Sequence, residues 1–466
     1  MDLDILDNYS DYNSNKLNEL YDRAMNDFYH KIVVLDDDPT GTQKVQDIHV
    51  YTNWDEESIL DGFKSDEQMF FILTNSRAFS EEKTKQVHED IANRVKKIAE
   101  ELNQPFIIIS RGDSTLRGHY PLETETINNT LGETADGEII IPFFKEGGRY
   151  TINNIHYVKT GNKLLPAAET EFAQDRTFGF NESDLTKYVE EKSKGDYKSE
   201  DVVAIQLEDL RSLNINKIVN ELMEVKNFNK VIVNAISDED LKVFSVALIE
   251  TLNKGKQFLF RTAATFTKVI GNIPSKELLS KDQMIQKNNE SGGLIIVGSH
   301  VNKTTQQLRE LIKLESIKPI EFNSDLVLDE EKFEKEIQAR IDELNMNINS
   351  GQTCVIYTKR KRLDLGAGMQ EKELELSVKI SDGLTKIIKL LSCEPKYIIA
   401  KGGITSSEVG TTALNVTKAL ILGQALPGIP VWETDSQSKY PNMPYVIFPG
   451  NVGGVKDLYT IASELE

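Results

Sequence analysis

Short apolar runs that end abruptly in acidic or turn-forming residues, each followed by a helix-length segment, constrain the fold of this chain more than any other feature. Lys31-Ile32-Val33-Val34-Leu35 is the first. Met69-Phe70-Phe71-Ile72-Leu73, Pro105-Phe106-Ile107-Ile108-Ile109, Glu138-Ile139-Ile140-Ile141, Val202-Val203-Ala204-Ile205 and Val231-Ile232-Val233 repeat the pattern. A strand buried on both faces reads as an unbroken apolar run, and strands alternating with helices imply βαβ units around a largely parallel sheet. The chain turns polar between Gly271 and Gly293. A second series then begins with Leu294-Ile295-Ile296-Val297 and continues through Thr353-Cys354-Val355-Ile356-Tyr357, Tyr397-Ile398-Ile399-Ala400 and Tyr445-Val446-Ile447-Phe448. The expected fold class is α/β, with two α/β domains, largely parallel sheets and an active-site cleft between the domains, where small ligands commonly bind. The spacing of Leu20, Tyr21, Ala24, Met25 and Phe28 predicts an amphipathic helix from Leu17 to His30. The expected organisation is this helix within 1–30, packed on a first domain over 31–270, then a linker over 271–293 and a second domain over 294–466.

Length and charge agree with that reading. A chain of 466 residues, 39% apolar and 27% charged, exceeds what one ordinary core organises. A formal net charge of −20 repels phosphate backbones and anionic lipid, so neither nucleic acid nor membrane is an expected partner. Cys354 and Cys393 are the only cysteines, too few for a disulfide framework and wrongly spaced for a metal site. With an acidic start and no apolar stretch of membrane length, a cytoplasmic location is expected.

Two loops of the first domain carry candidate chemistry. Asp36-Asp37-Asp38-Pro39-Thr40-Gly41-Thr42-Gln43 follows the first strand, placing three carboxylates at the carboxyl edge of the sheet, where open α/β folds bind ligands. Crowded carboxylates need a compensating cation, donor or substrate hydroxyl, and one of them is suited to accept a hydroxyl proton. A solvated acidic turn is the plain alternative. Ser110-Arg111-Gly112-Asp113-Ser114-Thr115-Leu116-Arg117-Gly118-His119 also follows a strand. Arg111 and Arg117 offer forked donors for a carboxylate or phosphate, and Ser114 and Thr115 suit sugar hydroxyls or a helix cap. Arg77, after the run ending at Leu73, adds a third guanidinium at the same edge.

In the second domain three glycine loops follow strands: Gly298-Ser299-His300, Lys401-Gly402-Gly403-Ile404-Thr405-Ser406-Ser407-Glu408, and Pro449-Gly450-Asn451-Val452-Gly453-Gly454. Glycines permit close backbone approach to phosphates. Neither G-x-x-x-x-G-K-[ST] nor G-x-G-x-x-G occurs, so neither a P-loop nor a standard dinucleotide fold is supported. Lys359-Arg360-Lys361-Arg362, after the strand ending near Thr358, could face phosphates, with a solvated loop as the plainer reading. The six histidines show no metal-ligand spacing, and the role of Arg149-Tyr150-Thr151, after Gly147-Gly148, is open.

Taken in order, these motifs resemble the four-carbon acid sugar kinase family. Asp37-Asp38-Pro39-Thr40-Gly41 matches its Asp-Asp-x-Thr-Gly loop, Asp113 through Gly118 its Asp-Ser-Thr-Leu-Arg-Gly motif, and Glu169-Thr170-Glu171-Phe172-Ala173-Gln174-Asp175 its Glu-Thr-x-Phe-Ala-x-Asp segment. The resemblance implies an acid-sugar-binding first domain, a nucleotide-binding second domain, and ATP with Mg²⁺ as cosubstrate and ion. It implies catalytic roles for Asp37 and Asp38, with substrate binding by Thr40, Gly41, Arg77, Arg111, Asp113, Ser114, Thr115 and Arg117. ATP binding passes to Ser299, Gly402, Gly403, Ile404, Thr405, Gly450 and Asn451. No protein-held metal is expected beyond the Mg²⁺ that ATP carries, and a homodimer is the candidate assembly.

The chain departs from the family pattern in three places. Asp36 stands where a small residue is common, Arg111 where lysine is usual, and Ile404 interrupts a Gly-Gly-Asp/Glu-Thr pattern. The leading helix and the 143–157 loop resemble a sub-branch, which implies an acid larger or branched relative to a plain four-carbon aldonate or 3-oxo-aldonate, such as a 3-oxo-isoapionate-like compound. Two rival functions remain: a non-catalytic sensor of acid sugar or nucleotide, and an ATP-dependent ligase that activates a carboxylate.

Overall fold

The computed structural model describes residues 2–9, 12–361, 370–450 and 452–466. The chain divides into two compact units, Met1–Ser275 and Lys276–Glu466.

In the first unit the strands are β1 (Lys31–Asp36), β2 (Ile48–Tyr51), β3 (Met69–Leu73), β4 (Phe106–Arg111), β5 (Gly137–Ile141), β6 (Arg149–Ile152), β7 (Ile155–Thr160), β8 (Lys163–Pro166), β9 (Val203–Ile205), β10 (Asn229–Val233) and β11 (Phe258–Thr262). The main sheet runs β2-β3-β1-β4-β11-β5-β10-β9 with every pair parallel. Every residue of β1, β3 and β5 is buried, which is why these strands read as unbroken apolar runs. From β1 the chain crosses to β3 on one side and returns to β4 on the other. The carboxyl ends of β1 and β4 therefore form a topological switch point, the position where doubly wound sheets open a crevice.

Helix Glu81–Leu102 lays Val87, Ile91, Val95 and Ile98 against Val33, Phe70 and Ile108 in one core cluster. Ser80 caps its N-terminus by accepting from the Lys83 amide at 3.3 Å. The leading helix, Ser14–Asn26, ends one turn earlier than its apolar spacing predicts. It packs on helix Asp238–Asn253, and Tyr12 Oη donates to Asp240 Oδ1 at 2.7 Å.

Of the 143–157 segment, residues 145–148 form the expected glycine-bearing turn, but the rest is not loop and enters a hairpin. β6, β7 and β8 form a separate antiparallel sheet, seamed to the main body by reciprocal backbone bonds between Thr151 and Ala235 at 3.0 and 3.1 Å.

In the second unit the strands are β12 (Leu294–Val297), β13 (Ile317–Phe322), β14 (Thr353–Thr358), β15 (Ile398–Lys401), β16 (Lys418–Leu426), β17 (Ile429–Thr434) and β18 (Pro444–Phe448). Its sheet runs β13-β14-β12-β15-β18-β17-β16, parallel as far as β18 and antiparallel beyond. Ile295, Val355, Ile399, Val446 and Phe448 pack with Leu458 and Ile461 of helix Asp457–Leu465. The chain leaves β12 for β13 and β14 on one side and returns to β15 on the other, so β12 and β15 make a second switch point. Among the described residues, no helix is long and apolar enough to cross a membrane.

Candidate functional site

Strand register builds the polar cluster of the first unit. β1 and β4 pair with Asp36 beside Arg111, and the guanidinium closes on one carboxylate oxygen, Nη2 at 2.5 Å and Nε at 2.7 Å from Oδ1. Arg111 also donates from Nη1 to the Gly112 carbonyl at 3.0 Å and from Nη2 to the Asp38 carbonyl at 2.8 Å. Its donors are thus directed inward, and a β-carbon at Gly41 would collide with them. Burial pushes the Asp36 carboxyl up to about 7, against the pull of Arg111. Asp36 and Arg111, two of the departures from the family pattern, are therefore each other's partners.

Arg77 sits in the turn after β3. Its Nη2 lies 2.6 Å from Asp37 Oδ1, its Nε 3.1 Å from Asp37 Oδ2, and its Nη1 3.5 Å from Asp38 Oδ2. Asp38 Oδ1 accepts the Thr40 amide at 2.8 Å. Burial would raise the Asp38 carboxyl, but Arg77, Arg111 and Thr40 hold it below its ordinary value.

The loop after β4 is organised around Asp113, which accepts from Arg117 Nε at 2.6 Å and from the Thr115 hydroxyl. Despite burial, Arg117 and Arg77 hold this carboxyl well below the usual carboxylate range. The Ser114 carbonyl lies 2.8 Å from His156 Nε2, and the Leu116 carbonyl accepts from Tyr188 Oη at 3.0 Å. Because a carbonyl only accepts, His156 carries its proton on Nε2, leaving Nδ1 to accept from Thr151 Oγ1 at 3.0 Å. Arg117 also lies 3.8 Å from Asp175 and 5.2 Å from the Phe172 ring centroid, which brings the third family motif to the same place.

Sequence reasoning missed Arg261, on β11. Register sets it beside Ser110; Nη1 donates to Ser110 Oγ at 2.8 Å and to Glu123. Glu123 also accepts from Ser76 at 2.6 Å and Ser110 at 3.0 Å. β-Carbons at Gly112 or Gly118 would collide with the Arg261 guanidinium, and Gly118 additionally holds φ +128°. The run Phe258-Leu259-Phe260 follows the same strand grammar as the others and was the available signal.

At the second switch point Gly298, Ser299, Gly402, Thr405 and Gly450 come together. Thr405 Oγ1 packs where a Gly298 β-carbon would stand, and a β-carbon at Gly402, φ +117°, would lie 2.8 Å from Ser299 Cβ. A β-carbon at Gly450 would find Ser299 Oγ at 3.7 Å. Thr304 Oγ1 donates to Ser299 Oγ and to the Gly450 carbonyl, both at 3.4 Å. Gly403 begins the short helix Gly403–Glu408, and Ile404 is exposed. Asn451 and Arg362 lie outside the described residues.

Two basic side chains also join this cluster. Arg360, from the run read as a solvated loop, donates through Nη2 to the Ser299 carbonyl at 2.6 Å and to Thr305 Oγ1 at 2.9 Å. Lys401 is fully buried; its Nζ bonds the Pro449 carbonyl and lies 3.4 Å from that of Gly450 and 4.0 Å from the Phe448 ring centroid. Burial pushes its pKa down to about 6.

Among the described residues no group of three or more His, Cys, Asp or Glu side chains could hold a metal ion. Both cysteines are buried, which pushes the thiols up to about 12 at Cys354 and about 11 at Cys393.

Two doubly wound α/β units, one with an arginine–carboxylate cluster at its switch point and the other with converging glycine loops at its own, define a two-domain α/β protein with a polar site on each sheet. Residues 32–270 match the sugar-binding N-terminal domain family and residues 294–458 the nucleotide-binding C-terminal domain family. The chain belongs to the family that joins these two domains, and the pairing fits the four-carbon acid sugar kinases. No curated protein matches the chain significantly. Among solved structures it is similar to a Salmonella typhimurium protein described as a candidate tRNA synthase, with 15% identity, a TM-score of 0.63, and 93% of this chain and 98% of that one covered. It is also similar to a Haemophilus influenzae protein of the DUF1537 family, with 18% identity, a TM-score of 0.59, and coverage of 92% and 99%. At these identities the likeness is one of fold.

Proposed function

We propose that this protein is an ATP-dependent kinase that phosphorylates a hydroxyl of a small acid sugar, held on the first unit, with ATP held by the glycine loops of the second. The observation that carries the reading is Asp37, placed at the first switch point and oriented through both carboxylate oxygens by Arg77. A β-carbon at Gly118 would approach Asp37 Oδ2 to 3.3 Å, so any larger residue there would crowd that oxygen.

In this mechanism Asp37 accepts the proton of the attacking hydroxyl, the hydroxyl oxygen bonds the γ-phosphorus, and ADP leaves. Asp38, held ionised, orients the hydroxyl, and Thr40, Ser114 and Thr115 serve the remaining polar groups of the acid. Arg111 and Asp36 support the loop from beneath. Ser299, Gly402, Gly403, Thr405 and Gly450 offer backbone and hydroxyl donors to phosphate oxygens, and Ile404 an apolar contact. Mg²⁺ supplies charge neutralisation when it arrives with ATP. The acidic side chains near Asp37 are engaged by arginines and, among the described residues, make no separate metal site.

The test is ADP release from Mg-ATP across a panel of four- and five-carbon aldonic acids, their 3-oxo forms and branched relatives, with the product phosphate located by NMR. An acid-dependent phosphate ester supports the kinase. An acyl phosphate trapped by hydroxylamine establishes the ligase instead, and joint binding of ATP and acid with no ADP formed establishes a sensor.

A further inference from the structure

Four of the five arginines around the first switch point are already neutralised from within. Arg77 is held by Asp37 at 2.6 Å, Arg111 by Asp36 at 2.5 Å, Arg117 by Asp113 at 2.6 Å, and Arg261 by Glu123. The fifth, Arg149, opens β6. Its guanidinium makes no ion pair or hydrogen bond with another described residue, and its Nε is shielded from solvent without a partner. Its guanidinium carbon stands 5.5 Å from the centroid of the Phe172 ring that Arg117 also faces.

The position of Arg149 is fixed. Its backbone exchanges hydrogen bonds with Phe144 at 2.8 and 3.1 Å, and two residues on Thr151 is tied to Ala235 and, through His156, to the Ser114 carbonyl. Burial and the neighbouring Arg117 charge weaken its hold on its proton, with Asp113 opposing. A half-buried cation with a shielded, unpartnered Nε, beside a second cation and with no counter-charge of its own, is unfavourable until an anion arrives.

We propose that Arg149 receives the carboxylate of the bound acid through its guanidinium fork. This rests on the reading that the first unit binds an acid sugar, and it moves the anion-binding role from Arg77, Arg111 and Arg117 to a residue on the hairpin. The other arginines then serve to hold Asp37, Asp36 and Asp113 in place, and the acid is gripped at one end by Arg149 with its hydroxyls turned towards Asp37.

The experiment compares binding of the acid with binding of its neutral carboxamide, by calorimetry on the full chain without ATP. Wild type, Arg149→Gln and Arg149→Lys are measured, each checked for folding by circular dichroism. Wild type should prefer the acid, Arg149→Gln should lose at least about ten-fold of that preference with amide binding unchanged, and Arg149→Lys, which keeps charge without the fork, should fall between. An unchanged preference in either folded variant overturns the assignment while leaving the kinase reading intact. Wild type that binds no acid of the panel overturns both.

Discussion

Arg77 covers both oxygens of Asp37, Nη2 on Oδ1 at 2.6 Å and Nε on Oδ2 at 3.1 Å. A carboxylate gripped in this way keeps one orientation, and the planar fork that grips it has no equivalent in lysine. Asp37→Asn should lower kcat by about 10²–10⁴-fold, the usual range for a lost general base, with KM for ATP little changed. Arg77→Lys should give a smaller loss. Steady-state kinetics with the acid found by the panel checks both, and near-normal turnover of Asp37→Asn removes the assignment.

Gly402 and Gly450 should answer differently to alanine. At Gly402 a β-carbon meets both a left-handed backbone, φ +117°, and Ser299 Cβ at 2.8 Å. Gly402→Ala should cost on the order of 1–3 kcal/mol and weaken ATP binding at least about ten-fold. At Gly450 the nearest atoms lie at 3.7 and 3.8 Å, so Gly450→Ala should hold its stability within about 0.5 kcal/mol. Urea melts and ATP titrations separate the two, and equal destabilisation would refute the steric argument.

His156 should make the first unit sensitive to mild acid. Burial pushes its pKa down from 6.5 to about 4, so between these values the unfolded chain binds a proton that the folded chain refuses. The stability present above pH 6.5 is therefore lost as pH falls towards 4, by on the order of 1.4 kcal/mol per unit. Denaturant melts from pH 7 to pH 4.5 should show this loss, reduced in His156→Gln. An identical pH dependence in wild type and variant would count against it.

The buried lysine of the second unit has the same sense over a higher range. Lys401 falls from 10.5 to about 6, so from pH 6 upwards its unfolded form is protonated and its folded form neutral. Stability should rise with pH between 6 and 10.5 with a slope on the order of 1.4 kcal/mol per unit from this group. The difference in melting free energy between wild type and Lys401→Met across pH 6.5–8.5 isolates it, and a difference that stays constant would place the proton on the folded lysine.

Much of this architecture is legible before any coordinates. Met69–Leu73 and Leu294–Val297 occupy the limits of their apolar runs because parallel strands covered on both faces admit no polar alternation. β16 hides for the opposite reason: its residues alternate between half-buried and buried, and its central Gly423 interrupts the pattern. The candidate site is legible as loops and illegible as partnerships. Nothing local says that Arg111 bonds Asp36, 75 positions away, or that Arg261 reaches Glu123 across 138; register between strands decides that. Arg149 escapes for the same reason, since a guanidinium without a partner is recognised only once every other guanidinium has been given one.

Arg111 also governs how the first site opens. Its side chain joins Asp36 and the Asp38 carbonyl of one loop to the Gly112 carbonyl at the root of the other, like a splint across a joint. The acidic loop should therefore not lift alone: the Asp37 amide donates to the Arg111 carbonyl across the β1–β4 pair, and its exchange should slow or quicken together with that of the strand amides on either side.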